Sequence, residues 1–138
     1  MSPESVLGEL RLHHVGIVVA DLDAAIARYE ALGFRKGERH DIPEQHIVAV
    51  TFRAGSGWVE LIQPTALEGP IARYMAKRGE GTHHVAYAVD NIVAAMNRLR
   101  DAGIRLIDET PRSGAHGWKI GFIHPEACHG VLTELVQE

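Results

Sequence analysis

The alternation of apolar and polar residues changes period twice in the same way, first after His13 and again after His83. Residues 15–19 form a β-branched run that predicts a strand. Leu22, Ala25, Ile26, Tyr29 and Leu32 then fall at helical spacing. Asp21 is placed to cap that helix, and Gly33 to end it in the left-handed conformation. The second passage repeats the pattern: a strand, then Asp90 or Asn91 as cap, Ile92, Ala95, Met96 and Leu99 as the stripe, and Gly103 as the stop. Further strands are predicted over residues 34–39, 47–53 and 58–63, and in the second passage over 104–108, 119–123 and 131–136. Between the two passages Gly69-Pro70-Ile71 opens a short helix with Pro in its first turn. Ile71, Tyr74 and Met75 give it an apolar face, and Gly79-Glu80-Gly81 closes it.

The two passages align without a gap from His13 and His83, an offset of 70 positions. Identities include His13/His83, His14/His84, Val15/Val85, Ala25/Ala95, Arg28/Arg98 and Gly33/Gly103. Such self-similarity marks a repeated supersecondary unit. At an offset of 74 positions, Val59-Glu60-Leu61 matches Thr133-Glu134-Leu135, so the loop before the last strand is longer in the second copy. The predicted class is α+β, with two βαβββ modules in one domain spanning residues 1–138. Module one covers about 12–65, the connecting helix about 69–79 and module two about 82–138.

The bulk properties narrow the partners. A chain of 138 residues is long enough to bury a real core. Its net charge of −4 and its lack of a like-charge block argue against nucleic acid as a partner. No apolar run is long enough to span a bilayer. Residues 1–9 carry acids and lack the basic-then-apolar order of a signal peptide. Cys128 is the only cysteine, so no intrachain disulfide forms, and a cytoplasmic protein is expected.

Nine histidines are present, and two adjacent pairs stand at repeat-related strand starts. Side chains alternate faces along a strand. His14, Gly16 and Val18 share one face, and His84, Ala86 and Ala88 share its counterpart; both are lined by small residues. The opposite faces, with His13 and His83, are bulky and suited to packing under helices. His14 and His84 are therefore the expected functional members. Glu60 and Glu134 stand inside apolar strands, where a carboxylate is costly unless paired or bound to a cation. Two imidazoles and two carboxylates suit a divalent transition ion such as Co, Mn, Ni, Fe or Zn. Four protein ligands on an octahedral ion leave two adjacent positions for a substrate with two oxygens in chelating distance.

Paired βαβββ modules with His, Glu, His and Glu at these positions resemble the vicinal-oxygen-chelate superfamily, whose modules form a cupped mixed sheet. The resemblance narrows to the methylmalonyl-CoA epimerase family from about Leu12 to the end. It is carried by HHVGIVVADLDAAIARYEALGF, PEQ at Pro43–Gln45, VELIQP at Val59–Pro64, PIARYMAKRGEGTHHVAYAVDNI at Pro70–Ile92, LIDETPRSGAHG at Leu106–Gly117 and the tail FIHPEACHGVLTELVQ. It implies a metal-dependent epimerase that interconverts (R)- and (S)-methylmalonyl-CoA, by α-proton abstraction through a metal-stabilised enediolate. It also implies a homodimer. Epimerisation needs acid/base groups on both sides of a planar intermediate, and Glu134 is expected to serve one side. Some family members are thought to use a glutamate on the strand after PEQ, at the position of Ala49 here; Glu44 and then His46 are the candidate substitutes. His129 replaces a usual small residue and Trp118 a usual polar one, and both bear on the acyl group accepted. Arg73, Lys77, Arg78, Arg112 and Lys119 are candidate contacts for coenzyme A phosphates.

Two alternatives use the same frame. One is another enzyme of the superfamily: a glyoxalase I-type isomerase with the same four ligands, or an extradiol dioxygenase with two His, one Glu and Fe(II). Glu60 as a fourth ligand argues against the latter. The other is a non-catalytic resistance protein that binds a small molecule or metal; the retained His/Glu set argues against it.

Overall fold

A computed structural model describes residues 5–138. The leading residues 1–4, part of the stretch read against a signal peptide, lie outside the described residues. The elements run β1 (Arg11–Val18), α1 (Leu22–Leu32), β2 (Glu38–Ile42), β3 (Ile47–Ala54), β4 (Gly57–Pro64), α2 (Pro70–Arg78), β5 (Gly81–Ala88), α3 (Ile92–Asp101), β6 (Arg112–Ser113), β7 (Lys119–Ile123) and β8 (Thr133–Gln137). Short 3₁₀ turns stand at Pro43–Gln45, Ala115–Gly117 and Pro125–Cys128. The class is α+β, as the periodicity predicts. Among the described residues no helix is long and apolar enough to cross a membrane.

Two compact units form, one of His14–His83 and one of His84–Glu138 with the N-terminal segment up to His13. In the first, the strand order is β2-β3-β4-β1. β1 and β4 are parallel with Gly16 opposite Glu60, while β3 runs antiparallel with Thr51 opposite Glu60. β2 pairs antiparallel with β3 and sets His40 opposite Ala49. In the second unit the order is β5-β8-β7-β6. Ala86 and Phe122 flank Glu134 on either side, and Arg112 stands opposite Ile120. The pairing within each unit is thus mixed, one parallel and two antiparallel.

Alternation sends the two faces of each sheet to different tasks. In the first unit Val48, Val50, Phe52 and Leu61 pack under α1 with Leu22, Ile26 and Tyr29. On the other face Val18, Ile42, Ile47, Ala49 and Ile62 pack with Ile71, Tyr74 and Met75 of α2. In the second unit Leu135 and Ile123 pack under Ile92, Ala95, Met96 and Leu99 of α3. Each large apolar side chain so buried contributes about 1.5–3 kcal/mol. Leu32 departs from its predicted stripe: it is 68% exposed, because the helix ends there and the chain turns away through Gly33 at φ 118°.

The starts of α1 and α3 are each secured twice. Asp21 accepts from the Ala24 N–H and Asn91 from the Ala94 N–H, as N-caps do. Gln63 then accepts from the Leu22 N–H at 2.7 Å, and Gln137 from the Ile92 N–H at 2.9 Å. These glutamines each follow Glu60 or Glu134 by three residues, so they leave the strand on the helix side of the sheet. Gln63→Ala or Gln137→Ala should each lower stability by about 1 kcal/mol, read as a lower denaturant midpoint at unchanged slope; unchanged midpoints would mean water replaces the amide without loss.

Two predicted strands differ from the structure. The strand expected over 34–39 begins only at Glu38. Phe34 donates its N–H to the Tyr29 carbonyl in closing α1 and packs its ring against Phe52. Gly37 then passes so close to Phe52 that a Cβ there would lie 2.8 Å from the ring. The segment expected as a strand over 104–108 makes only an isolated bridge, Leu106 to Ile123. Here the Asp108 carboxylate accepts the Phe122 N–H, at 2.8 Å, that a further strand carbonyl would otherwise take.

Candidate metal and proton-transfer site

In the first unit, pairing across β1 and β4 brings His14 and Glu60 to one face. His14 Nε2 lies 3.8 Å from Glu60 Oε1, and both side chains are buried. Thr51, wholly buried, is the neighbour of Glu60 on β3. Burial pulls the His14 imidazole below its ordinary pKa, and the Glu60 charge opposes this only in part. The ring is therefore held neutral, the form that ligates metal ions.

The second unit repeats the pair. His84 Nε2 lies 3.5 Å from Glu134 Oε2, with side chains 3% and 4% exposed. The His84 ring meets Phe122 edge-on at 5.5 Å. The Arg112 guanidinium lies over the same Phe122 ring at 5.0 Å and 3.4 Å from Asp108. Burial pushes the Glu134 carboxyl up to about 8; Arg112 opposes that shift and Asp108 adds to it.

The adjacent histidines are engaged elsewhere. His13 lies 3.1 Å from Glu138 and edge-on to Trp118 at 4.5 Å. His83 meets the Tyr74 ring edge-on at 4.7 Å, and burial pushes its pKa down to about 4. The faces of His14 and His84 are also more buried than the opposite faces of the same strands. Their small residues, Gly16 and Ala86, come from the same alternation that singled them out.

The donor chemistry fits a divalent cation. Each pair offers one imidazole and one carboxyl group away from water, and the rise in the Glu134 pKa reflects how poorly protein alone compensates a charge there. The only cysteine, Cys128, ends the last 3₁₀ turn and packs against the apolar cluster of α3 and Leu135, on the face of β8 opposite to Glu134.

Other expected residues are placed as follows. Glu44 is exposed in the 3₁₀ turn between β2 and β3. His46 adopts φ 56°, lies 3.9 Å from Glu68 and stands against Gly69. That turn adjoins the Pro64 end of β4, two register steps beyond Glu60, past the apolar pairs Ile47/Pro64 and Ala49/Ile62. Ala49 is fully buried. Trp118 is buried and stacks on His116 at 4.5 Å. His129 is exposed at φ 55°, in the left-handed conformation. Arg73, Lys77 and Arg78 are exposed on α2, and Lys119 is exposed on β7. Sequence reading missed His40, whose ring nitrogen Nε2 lies 3.3 Å from Thr51 Oγ1, and Arg53, whose guanidinium covers Trp58 at 4.5 Å. Only the pairing register of β2, β3 and β4 brings these to the face of Glu60.

The sequence matches the Glyoxalase/Bleomycin resistance protein/Dioxygenase superfamily over residues 13–122. It is 40% identical over 129 residues to the mitochondrial methylmalonyl-CoA epimerase of Bos taurus, covering 92% of this chain and 74% of that protein. It is 38% identical over 130 residues to an ethylmalonyl-CoA/methylmalonyl-CoA epimerase of Cereibacter sphaeroides, covering 92% and 97%. Among solved structures, a single-residue variant of the Streptomyces coelicolor methylmalonyl-CoA epimerase in complex with 2-nitronate-propionyl-CoA superposes with a TM-score of 0.90 at 36% identity, over 94% of this chain and 96% of that one. A methylmalonyl-CoA epimerase in complex with methylmalonyl-CoA and NH4+ gives 0.89 at 35% identity, over 94% of each chain. With two repeated modules and a His/Glu pair in each, the chain belongs to the glyoxalase/bleomycin resistance/dioxygenase superfamily and, within it, to the methylmalonyl-CoA epimerase family.

Proposed function

We propose that this protein interconverts (R)- and (S)-methylmalonyl-CoA by removing and returning the α-proton, with both modules acting as one domain. The observation that carries the reading is the buried His/Glu pair repeated in each module, His14 with Glu60 and His84 with Glu134. Together these four residues would hold one divalent ion. When bound, it supplies Lewis acidity to the substrate carboxylate and thioester oxygens, lowering the energy of the enediolate. The protein's own part is to keep the His14 imidazole neutral, to exclude water from the carboxylates and to move protons. Glu134 serves one side of the α-carbon as acid/base group. For the other side Glu44 is the carboxylate the sequence offers, and its exposed place favours it less than its motif does. The cations of α2, Arg73, Lys77 and Arg78, suit coenzyme A phosphates through their charge and exposure. We further infer a cytoplasmic homodimer; a monomer by light scattering at micromolar concentration counts against the dimer.

The test is incubation with methylmalonyl-CoA in deuterated water, with and without chelator. The expected result is deuterium at the α-carbon of both enantiomers, lost on chelation and restored by adding back metal. Absence of exchange from methylmalonyl-CoA, with turnover of a glutathione hemithioacetal instead, would overturn the epimerase reading and leave the four-ligand site standing.

A further inference from the structure

The repeat extends to the helix side of each sheet, away from the His/Glu pairs. In module one Ile17, Tyr29, Phe34, Phe52, Val59 and Leu61 belong to one apolar cluster under α1. Their counterparts in module two are Tyr87, Leu99, Ile104, Ile123, Thr133 and Leu135. The first three follow from the offset of 70 positions, and Thr133 and Leu135 from the offset of 74. Ile123 follows from register, since it stands opposite Thr133 as Phe52 stands opposite Val59. All six line one cavity of about 490 Å³. The positions that close on themselves in module one therefore surround open space in module two.

Side-chain size accounts for the difference. In module one three rings fill this place, with the centroids of Tyr29 and Phe52 at 5.5 and 5.9 Å from that of Phe34. Module two has Leu99, Ile104 and Ile123 there, and regains one ring only, Tyr87 in place of Ile17. The N-terminal segment, through Val6, Leu7 and Leu10, and the stretch with Cys128 and Val131 form other walls. Leu10 and Val131 are exposed, so the rim of the cavity reaches solvent. Protein interiors pack as densely as organic crystals, and a space of this size is in the range that small molecules occupy.

The lining selects the chemistry of an occupant. No residue around the cavity is acidic or basic. The Ser5 hydroxyl donates to the Gly8 carbonyl at 2.7 Å, and that of Thr133 to the Val131 carbonyl at 3.0 Å. Arg105, next to Ile104 in sequence, lies 3.9 Å from Glu126. An ion would lose its hydration here without gaining a partner. An apolar cavity takes small apolar molecules instead, and the Tyr87 ring offers an aromatic guest a face or an edge.

We infer that this cavity is a ligand site for a small neutral aromatic molecule, on the helix side of module two. The ring of the guest takes the place that Phe34 and its neighbours fill in module one. Thr133 and Leu135 face the guest, while Glu134 between them faces the other way. The site is thus separate from the His84/Glu134 pair and independent of the epimerase reading.

The probe is 2-naphthol, with 2-naphthoate as the same ring carrying a charge. Each is titrated by calorimetry into the full chain, with and without methylmalonyl-CoA. The expected result is one 2-naphthol per chain under both conditions, and binding of 2-naphthoate weaker by roughly tenfold or more. Bound 2-naphthol should also slow alkylation of Cys128, the only thiol, by N-ethylmaleimide. Ile104→Phe restores a module-one ring at a half-buried position, and should weaken 2-naphthol binding by roughly tenfold or more as it fills the space. No binding of 2-naphthol, equal binding of 2-naphthoate, displacement by methylmalonyl-CoA, or an unchanged Cys128 rate would each overturn the assignment. So would a folded Ile104→Phe variant that binds 2-naphthol as wild type does. Should that variant fold poorly, the Cys128 rate in wild type decides.

Discussion

Replacing Glu134 by Gln should lower α-proton exchange on the order of a hundredfold or more, the size expected when a general acid/base group is removed. Glutamine keeps the length and polarity of the side chain but cannot carry the proton, and it surrenders the charge of a proposed metal ligand. Some metal should therefore be lost, and rates must be compared at restored and measured occupancy. Binding of the acyl-CoA should change far less, because the contacts proposed for the coenzyme phosphates are the cations of α2 and not Glu134. Full exchange at full occupancy would remove Glu134 from the chemistry and leave it a ligand alone.

The second large effect concerns stability and pH. In the metal-free protein, burial raises the Glu134 carboxyl from 4.5 to about 8. Below pH 4.5 the group is protonated whether the chain is folded or not, and it carries no penalty. As pH rises from 4.5 to about 8 the unfolded chain ionises first, so the folded state is progressively disfavoured, in total on the order of a few kcal/mol. His14 acts at the other end. Its lowered pKa costs stability as pH falls below 6.5, where the unfolded imidazole takes a proton that the folded one refuses. Metal should reverse the alkaline trend, since it binds the carboxylate and competes with the proton. Denaturant midpoints between about pH 6.5 and 8, above the range where His14 acts, with chelator and with saturating metal, test this, and Glu134→Gln should flatten the alkaline slope of the chelated protein. A chelated protein that gains stability over that range would contradict it.

Much of this arrangement is legible in sequence because it depends on short-range rules. Odd and even positions on a strand separate His14 from His13 and His84 from His83 without knowledge of any partner strand. Asp21 and Gly33 bound the first helix by local backbone chemistry. Glu60 and Glu134 stand out because carboxylates inside apolar strands need a reason. What eluded sequence reading depends on contacts between distant segments. Residues 34–37 look like a strand until the Phe52 ring claims the space at Gly37. Residues 104–108 look like one until the Asp108 side chain takes the Phe122 N–H. His40 shows no motif at all. Its place follows from the pairing of β2 with β3, and a slip of one residue there would turn it to the other face.

Gln63 and Gln137 carry a different kind of information. A device present in both modules, with the same bond to the same helix position, is most simply inherited from a single ancestral copy. The glutamate on one side of its strand and the helix tie on the other therefore predate the doubling of the gene segment. The apolar packing behind the sheet is where the copies parted, rings in one and a cavity in the other. Duplication would have made a symmetric binder first, and divergence behind the sheet then gave its two halves unequal interiors.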